Sequence, residues 1–317
     1  MKRTILRVLM PLVLVFFMLA VPCWAQKEQF YKLFIKIEIK PQPKAKVVEL
    51  WVPLPPDDPF QQVQALKIKA PGAYLITQGG EYKNRYLYLR WTGPLLHETS
   101  LNIEALVRRQ EVVPHPWPYK PPLRYLLSDR LVPVKDFKDM ANQIVGDQKD
   151  KLLELRLLYD YVVSTLQYRK TGTGWGRGDA LWACSHRHGN CTDFHSFLMA
   201  LARAEGIPVL FEIGLPVPDK GGPIKGYHCW LIAFPKGLIM GLDASEAAKH
   251  PEKKDYFFGH LCPKRILITR GRDLLLAPPQ HGPRLNFLYK AYLEVDLQPA
   301  PGAVRTYYEV WPLSKKP

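Results

Sequence analysis

A chain of 317 residues, 47% hydrophobic and 23% charged, has ordinary globular composition and the length of two domains. Thirty prolines argue for loops and edge strands and against a helical bundle. The formal charge of +15 suits an anionic cell-surface polymer as a partner, but no basic stripe interleaved with aromatic residues points to a nucleic acid.

The first 25 residues read as a secretory signal peptide. Lys2, Arg3 and Arg7 precede an apolar run from Val8 to Val21 that only Pro11 interrupts, and Ala25 is a small residue suited to cleavage before Gln26. The run is short for a membrane anchor, which needs about 20 apolar residues. Pro22 disfavours lipid attachment at Cys23, and no stable membrane span is expected after cleavage. The predicted location is therefore periplasmic or extracellular. Loss of three basic residues from +15 leaves the mature chain at +12.

Residues 26–113 are predicted to form an all-β, sandwich-like domain. Leu33, Ile35, Ile37 and Ile39 alternate with Lys32, Lys36, Glu38 and Lys40, the period-2 pattern of a half-buried strand. Val47 to Val52, Tyr86 to Trp91 and Leu101 to Val107 give three more strands, with turns at Gly79-Gly80 and Asn84. Five prolines between Pro114 and Pro122 make a stiff linker at 114–122, and residues 123–317 are assigned to a second domain.

That domain opens with a helical pattern from Asp136 to about Tyr168, divided at Gly146, with Leu153, Leu157, Val162 and Leu166 on one face. The Gly-rich stretch 171–178 follows a helix, not a strand, and lacks a Gly-Lys-Ser/Thr ending, so it is no phosphate loop. A helix is predicted from Cys191 to about Glu205, with Phe194, Leu198 and Leu201 buried, stopped by Gly206-Ile207-Pro208. Strands follow at 209–214, 227–234 and 238–242, and further strands at 285–297 and 303–311.

Three positions carry candidate chemistry. A cysteine at a helix N-terminus meets unpaired N–H groups and a partial positive charge, both of which favour thiolate, and Cys191 is so placed. Asp193 falls in the same first turn, where a carboxylate can hold the N–H groups. His228 lies on a strand that can present its ring to the sulfur. Asp243 ends the next strand, and antiparallel pairing would bring it toward the histidine, where it can orient the imidazole.

Gly189-Asn190-Cys191-Thr192-Asp193, Arg203-Ala204-Glu205-Gly206-Ile207-Pro208, Gly226-Tyr227-His228-Cys229-Trp230 and Leu242-Asp243 together resemble the transglutaminase-like superfamily, over roughly residues 150–250. The stretch Trp51-Val52-Pro53-Leu54-Pro55 is similar to the N-terminal domain of many bacterial members. The resemblance implies an α+β, papain-like core in which the cysteine helix packs on an antiparallel sheet, preceded by the β domain. It also implies a nucleophile at Cys191, a base at His228, an orienting carboxylate at Asp243 and no cofactor. One departure is the absence of a tryptophan shortly before Asp243, where Leu238-Ile239-Met240-Gly241 stands instead.

The expected activity is acyl transfer on peptide or protein amides through a thioester, completed by water or by an amine. Trp182 and Asn190 are candidate oxyanion donors beside the Cys191 N–H, and Trp230 is a candidate substrate contact. Two other readings stay open: a non-catalytic scaffold that keeps the fold, and a zinc protein using Cys184, His186, His188, Cys191 and His195. Of the four cysteines beyond the leader, a free Cys191 leaves at most one disulfide among Cys184, Cys229 and Cys262.

Overall fold

The computed structural model describes residues 27–314, so the expected leader lies outside them. Six strands come first: β1 (Glu28–Ile39), β2 (Val47–Leu54), β3 (Gln61–Lys69), β4 (Leu75–Gly79), β5 (Asn84–Thr92) and β6 (Thr99–Gln110). Helices α1 (Lys138–Val145), α2 (Lys151–Thr165), α3 (Ala180–His186) and α4 (Cys191–Ala204) follow. The chain then forms β7 (Val209–Pro216), β8 (Gly222–Ile224), β9 (His228–Ala233), β10 (Leu238–Leu242), α5 (Ala244–Lys249), β11 (Arg265–Arg270), β12 (Tyr292–Val295) and β13 (Val304–Leu313). The architecture is α+β with antiparallel sheets, and no helix among the described residues is long and apolar enough to cross a membrane.

Two sheets form the β part. One has the order β8-β13-β1-β6-β3; the other runs from a short strand at Gln298–Pro299 through β12, β2 and β5 to β4. In β1 the alternating residues Leu33, Ile35, Ile37 and Ile39 are all buried, as the pattern predicts, and they meet Val48, Leu50 and Leu89 from the facing sheet. The C-terminal strands were expected inside a domain spanning 123–317. They instead lie on the N-terminal sheets: β13 pairs with β1 along ten residues and β12 pairs with β2. The reason is burial, since Leu293 and Val310 are wholly enclosed and complete the sandwich core.

A third sheet, ordered Phe258–Gly259, β10, β9, β7 and β11, lies between the sandwich and the helices. Alternation along its strands sends Phe211, Ile213, Cys229 and Leu231 into the helical core, while Leu210, Trp230 and Ile232 meet Trp51, Tyr86 and Tyr88 of the β part. The proline stretch is not a free tether: His115–Pro116 pairs with β10, and the Trp117 ring packs tilted against Phe234. Gly214 allows β7 and β11 to approach closely; a Cβ there would stand 1.9 Å from the Ile266 carbonyl oxygen.

The helical region differs from expectation in one face. Gly146 does separate α1 from α2, but Leu153 and Leu157 are exposed. The buried stripe of α2 is Leu155, Leu158, Tyr159 and Val162, which also follows i, i+3, i+4, i+7. Leucines surround this helix, so periodicity alone admits two faces, and packing against α4 selects one.

Candidate active site

Helix α4 is buried along its length, from Cys191 through Arg203. Its N-terminus is built by a reciprocal cap. The Asn190 side chain accepts from Thr192 N at 2.9 Å, and the Asp193 carboxylate accepts from Asn190 N at 2.9 Å. Asp193 also accepts from Gly176 N at 2.7 Å and Gly178 N at 3.0 Å, so it ties the Gly-rich loop to the first turn of the helix. Charge-assisted bonds of this kind contribute about 1.5–3 kcal/mol each. Gly189 is required here for space: a Cβ would lie 2.4 Å from Asp193 Oδ2. A parallel pair between Gln167–Tyr168 and His188–Gly189 fixes the approach to Cys191.

Strand β9 enters from the opposite side. Leu231 pairs with Leu242 and Ala233 with Met240, the expected hairpin, which carries Asp243 back toward His228. His228 Nε2 lies 2.7 Å from Asp243 Oδ2. With Nε2 so engaged, Nδ1 is the ring nitrogen left for the Cys191 sulfur, which acts on the imidazole from close by. Cys191, His228 and Asp243 thus form one contiguous set, with only 3% of Cys191 and 9% of His228 exposed and Asp243 enclosed.

The electrostatics favour an ion pair. The Cys191 thiol is held well below its ordinary value, first by a hydrogen bond from the Cys229 thiol and then by His228 and the charge of His195, against the opposing effect of burial. Burial works against the charged form of His228, but the Asp243 carboxylate and the Cys191 sulfur overcome it and push the imidazole up to about 10. Burial likewise opposes charge on Asp243, yet His228, His195 and Arg265 hold it well below the usual carboxylate range. The Cys229 thiol moves the other way, raised by burial and by the neighbouring Cys191.

Two further members of this site were not read as part of it from the sequence: His195 entered only as a zinc candidate, and Arg265 not at all. His195, one turn beyond Cys191, sets Nε2 3.5 Å from Asp243 Oδ1 and Nδ1 3.4 Å from Cys229 Sγ. The i+4 spacing from Cys191 was its only visible signal. Arg265 donates from Nη1 to Asp243 Oδ2 at 3.1 Å and stacks 5.0 Å from the Trp230 ring. It comes from β11, and no local motif marks it.

The weaker candidates fall elsewhere. Trp230 is fully buried behind the histidine and donates from Nε1 to Glu212 at 2.6 Å, so it faces the β part and not a substrate. It shares a strand face with His228, and beyond the histidine that face is covered by the sandwich. Asn190 spends its side chain on the helix cap and on Tyr227, to which Nδ2 donates at 3.1 Å. Trp182 is half-buried, stacked 4.5 Å from the His186 ring and packed on Gly174 of the Gly-rich loop. The backbone N–H of Cys191, at the first position of α4, remains the natural oxyanion donor.

The zinc set does not converge. Cys184 packs against Met140, His186 lies exposed over Trp182, and His195 turns inward to Asp243. Cys184, Cys191, Cys229 and Cys262 are all free thiols in this structure.

Comparison with known proteins agrees with this arrangement. Residues 138–236 match the model of the transglutaminase-like superfamily, a span that holds Cys191 and His228 and stops just short of Asp243. An uncharacterised protein of Haemophilus influenzae is 26% identical, covering 79% of this chain and 81% of its own. The crystal structure of a candidate cysteine protease from Cytophaga hutchinsonii superimposes with a TM-score of 0.60 at 15% identity, covering 92% of this chain and 94% of that one. The periplasmic domain of TgpA from Pseudomonas aeruginosa gives a looser likeness, with a TM-score of 0.36 at 13% identity over 71% of this chain and 91% of that one. The fold and the motif-bearing segment agree with the family match, which places the likeness to the transglutaminase-like superfamily in residues 138–236.

Proposed function

We propose that the protein is an exported thiol enzyme that transfers acyl groups from peptide or protein amides through a thioester on Cys191. The observation that carries the reading is the buried chain from the Cys191 sulfur through His228 to Asp243, with the thiol shifted down and the imidazole shifted up. Such a pair holds the nucleophile and the proton donor together before substrate arrives.

The thiolate attacks the amide carbonyl carbon, and the carbonyl π electrons move to oxygen, where the Cys191 N–H can donate. The tetrahedral adduct collapses by breaking the C–N bond, and the His228 imidazolium gives its proton to the leaving amine. The neutral imidazole then takes a proton from water or from a second amine as that nucleophile displaces the thiolate. Asp243 keeps Nε2 occupied throughout and stabilises the imidazolium when it re-forms. His195 and Arg265 hold Asp243 ionised and in place. Export rests on the N-terminal sequence, and the basic surface charge suits action near anionic polymers.

The test is a set of labelled peptide amides incubated with the protein in the presence and absence of a competing primary amine, with products read by mass spectrometry. The reading expects an acyl-enzyme mass on the peptide bearing Cys191, and a hydrolysed or amine-linked product. The Cys191→Ala variant should lose at least about a thousandfold of the turnover. Undiminished turnover in that variant, or a folded wild type inert toward every amide, leaves the non-catalytic scaffold in its place.

A further inference from the structure

A second cluster lies far from Cys191 in the chain, on the β part. Strands β2 and β12 are registered so that Glu49 and Glu294 stand directly opposite each other. Like charges in directly opposed positions are destabilising unless something compensates. Both are buried, Glu49 at 6% exposed and Glu294 enclosed. The half-exposed His281 lies over them, with Nδ1 3.0 Å from Glu294 Oε2 and 3.4 Å from Glu49 Oε2. Arg90, on the other side of Glu49, reaches only Oε1, at 3.7 Å, so two carboxylates face one guanidinium.

The remaining contacts leave Glu49 Oε2 unpartnered, while Glu294 Oε2 also accepts from His281 N at 3.0 Å. Tyr88 Oη donates to Glu49 Oε1 at 2.5 Å, while Tyr292 Oη and Gly282 N donate to Glu294 Oε1 at 2.9 and 2.7 Å. Such outer contacts orient ligands toward a metal ion. Glu49 Oε2 is buried with no hydrogen-bond partner and points at the imidazole nitrogen. Glu49 Oε2, His281 Nδ1 and Glu294 Oε2 all lie within 4.8 Å of one another. Ligand atoms bound to zinc at about 2.0–2.2 Å in a tetrahedral site stand roughly 3.4 Å apart; the His281–Glu49 separation already has that length, and the His281–Glu294 separation of 3.0 Å would open slightly around an ion.

We infer that Glu49, His281 and Glu294 form a binding site for a divalent transition cation of the zinc class, with the solvent side of His281 open for a water as fourth ligand. One imidazole and two carboxylates suit zinc better than calcium or magnesium, which prefer all-oxygen sets. The bound ion would tie the segment at 281–282 to β2 and β12, and so the C-terminal strands to the N-terminal sandwich. The site is independent of the acyl-transfer reading.

The experiment uses the full chain stripped with EDTA, titrated with zinc chloride by calorimetry and melted with and without zinc. Wild type, Cys191→Ala, His281→Ala and Glu49→Gln are compared, because the thiol site can also attract zinc. His281 is half-exposed and Gln keeps the shape of Glu49, so both variants should fold. The inference expects about one zinc bound and a raised Tm in both wild type and Cys191→Ala, with affinity falling by more than about tenfold in His281→Ala and Glu49→Gln. Unchanged zinc affinity in those two variants, zinc binding lost only in Cys191→Ala, preference for calcium, or no binding at all overturns it. The cluster would then be a hydrogen-bonded contact between His281 and the two carboxylates with no metal role.

Discussion

The chemistry proposed for Cys191 depends on which groups hold charge near neutral pH. His228 carries its proton because Asp243 lies 2.7 Å away and outweighs the cost of burial. Its pKa is raised above the unfolded value of about 6.5, so the charged imidazole stabilises the fold fully below that pH, and the contribution is lost as pH rises through about 10. The same proton serves the leaving amine, so the alkaline limb of the kcat/KM profile on an amide substrate should fall near pH 10. Asp243→Asn removes the largest opposing force to burial. In that variant the limb should move down by at least about one pH unit and the plateau should drop about a hundredfold or more; a limb that stays put would mean that Asp243 does not set the imidazole charge. Cys191, His228 and Asp243 were legible in the sequence because a helix N-terminus and a tight hairpin fix them by local rules. Arg265 and Cys229 were not, because Arg265 reaches the site from a separate strand of the sheet and Cys229 meets it only when β9 packs on α4.

Elements explain both the accurate and the inaccurate readings. Helix α4 was legible from Asp193 in its first turn and from Gly206-Ile207-Pro208 after its last, whereas the cap that Asn190 forms with Asp193 emerged only in the structure. Strand β1 declared itself by alternation, and all four of its predicted core residues are buried. Helix α2 hid its orientation because Leu153 and Leu157 make a second plausible stripe, and only the mass of α4 beside it decides which stripe is covered. Trp230 failed for a related reason. Parity along β9 says that it shares a face with His228, but not that the sandwich covers that face beyond the histidine. The purpose of the Gly-rich loop is visible only in space, where two of its N–H groups meet Asp193.

At the scale of the whole molecule, the division at 114–122 does not separate two independent bodies. The C-terminal strands β12 and β13 return to β2 and β1, and the central sheet packs on the sandwich through Trp230, Ile232 and Leu210. A charged network crosses the same contact: Arg270 pairs with Glu212 at 3.2 Å and with Asp58 at 3.0 Å, and Arg109 lies 3.4 Å from Asp58. Sequence order hides such a return, since nothing local in 304–313 states that its partner begins at residue 28. The interlock predicts a single cooperative transition in urea, with helical circular dichroism and the fluorescence of the sandwich tryptophans sharing one midpoint. Two separated midpoints would mean that the β part and the helical part fold independently.

The central claim is that Cys191 is a thiolate under conditions where an ordinary cysteine is a thiol. The most direct measurement is the rate of Cys191 alkylation by iodoacetamide across pH, followed by mass spectrometry of the peptide that bears it, with Cys229 and Cys184 as internal references whose thiols are shifted up. Cys191 is predicted to react alone at mildly acidic pH and to reach its plateau well below the pH at which an ordinary thiol ionises. A rate that climbs with a midpoint near the ordinary thiol value of about 8.5, or a Cys191 that reacts no faster than Cys184, would contradict it.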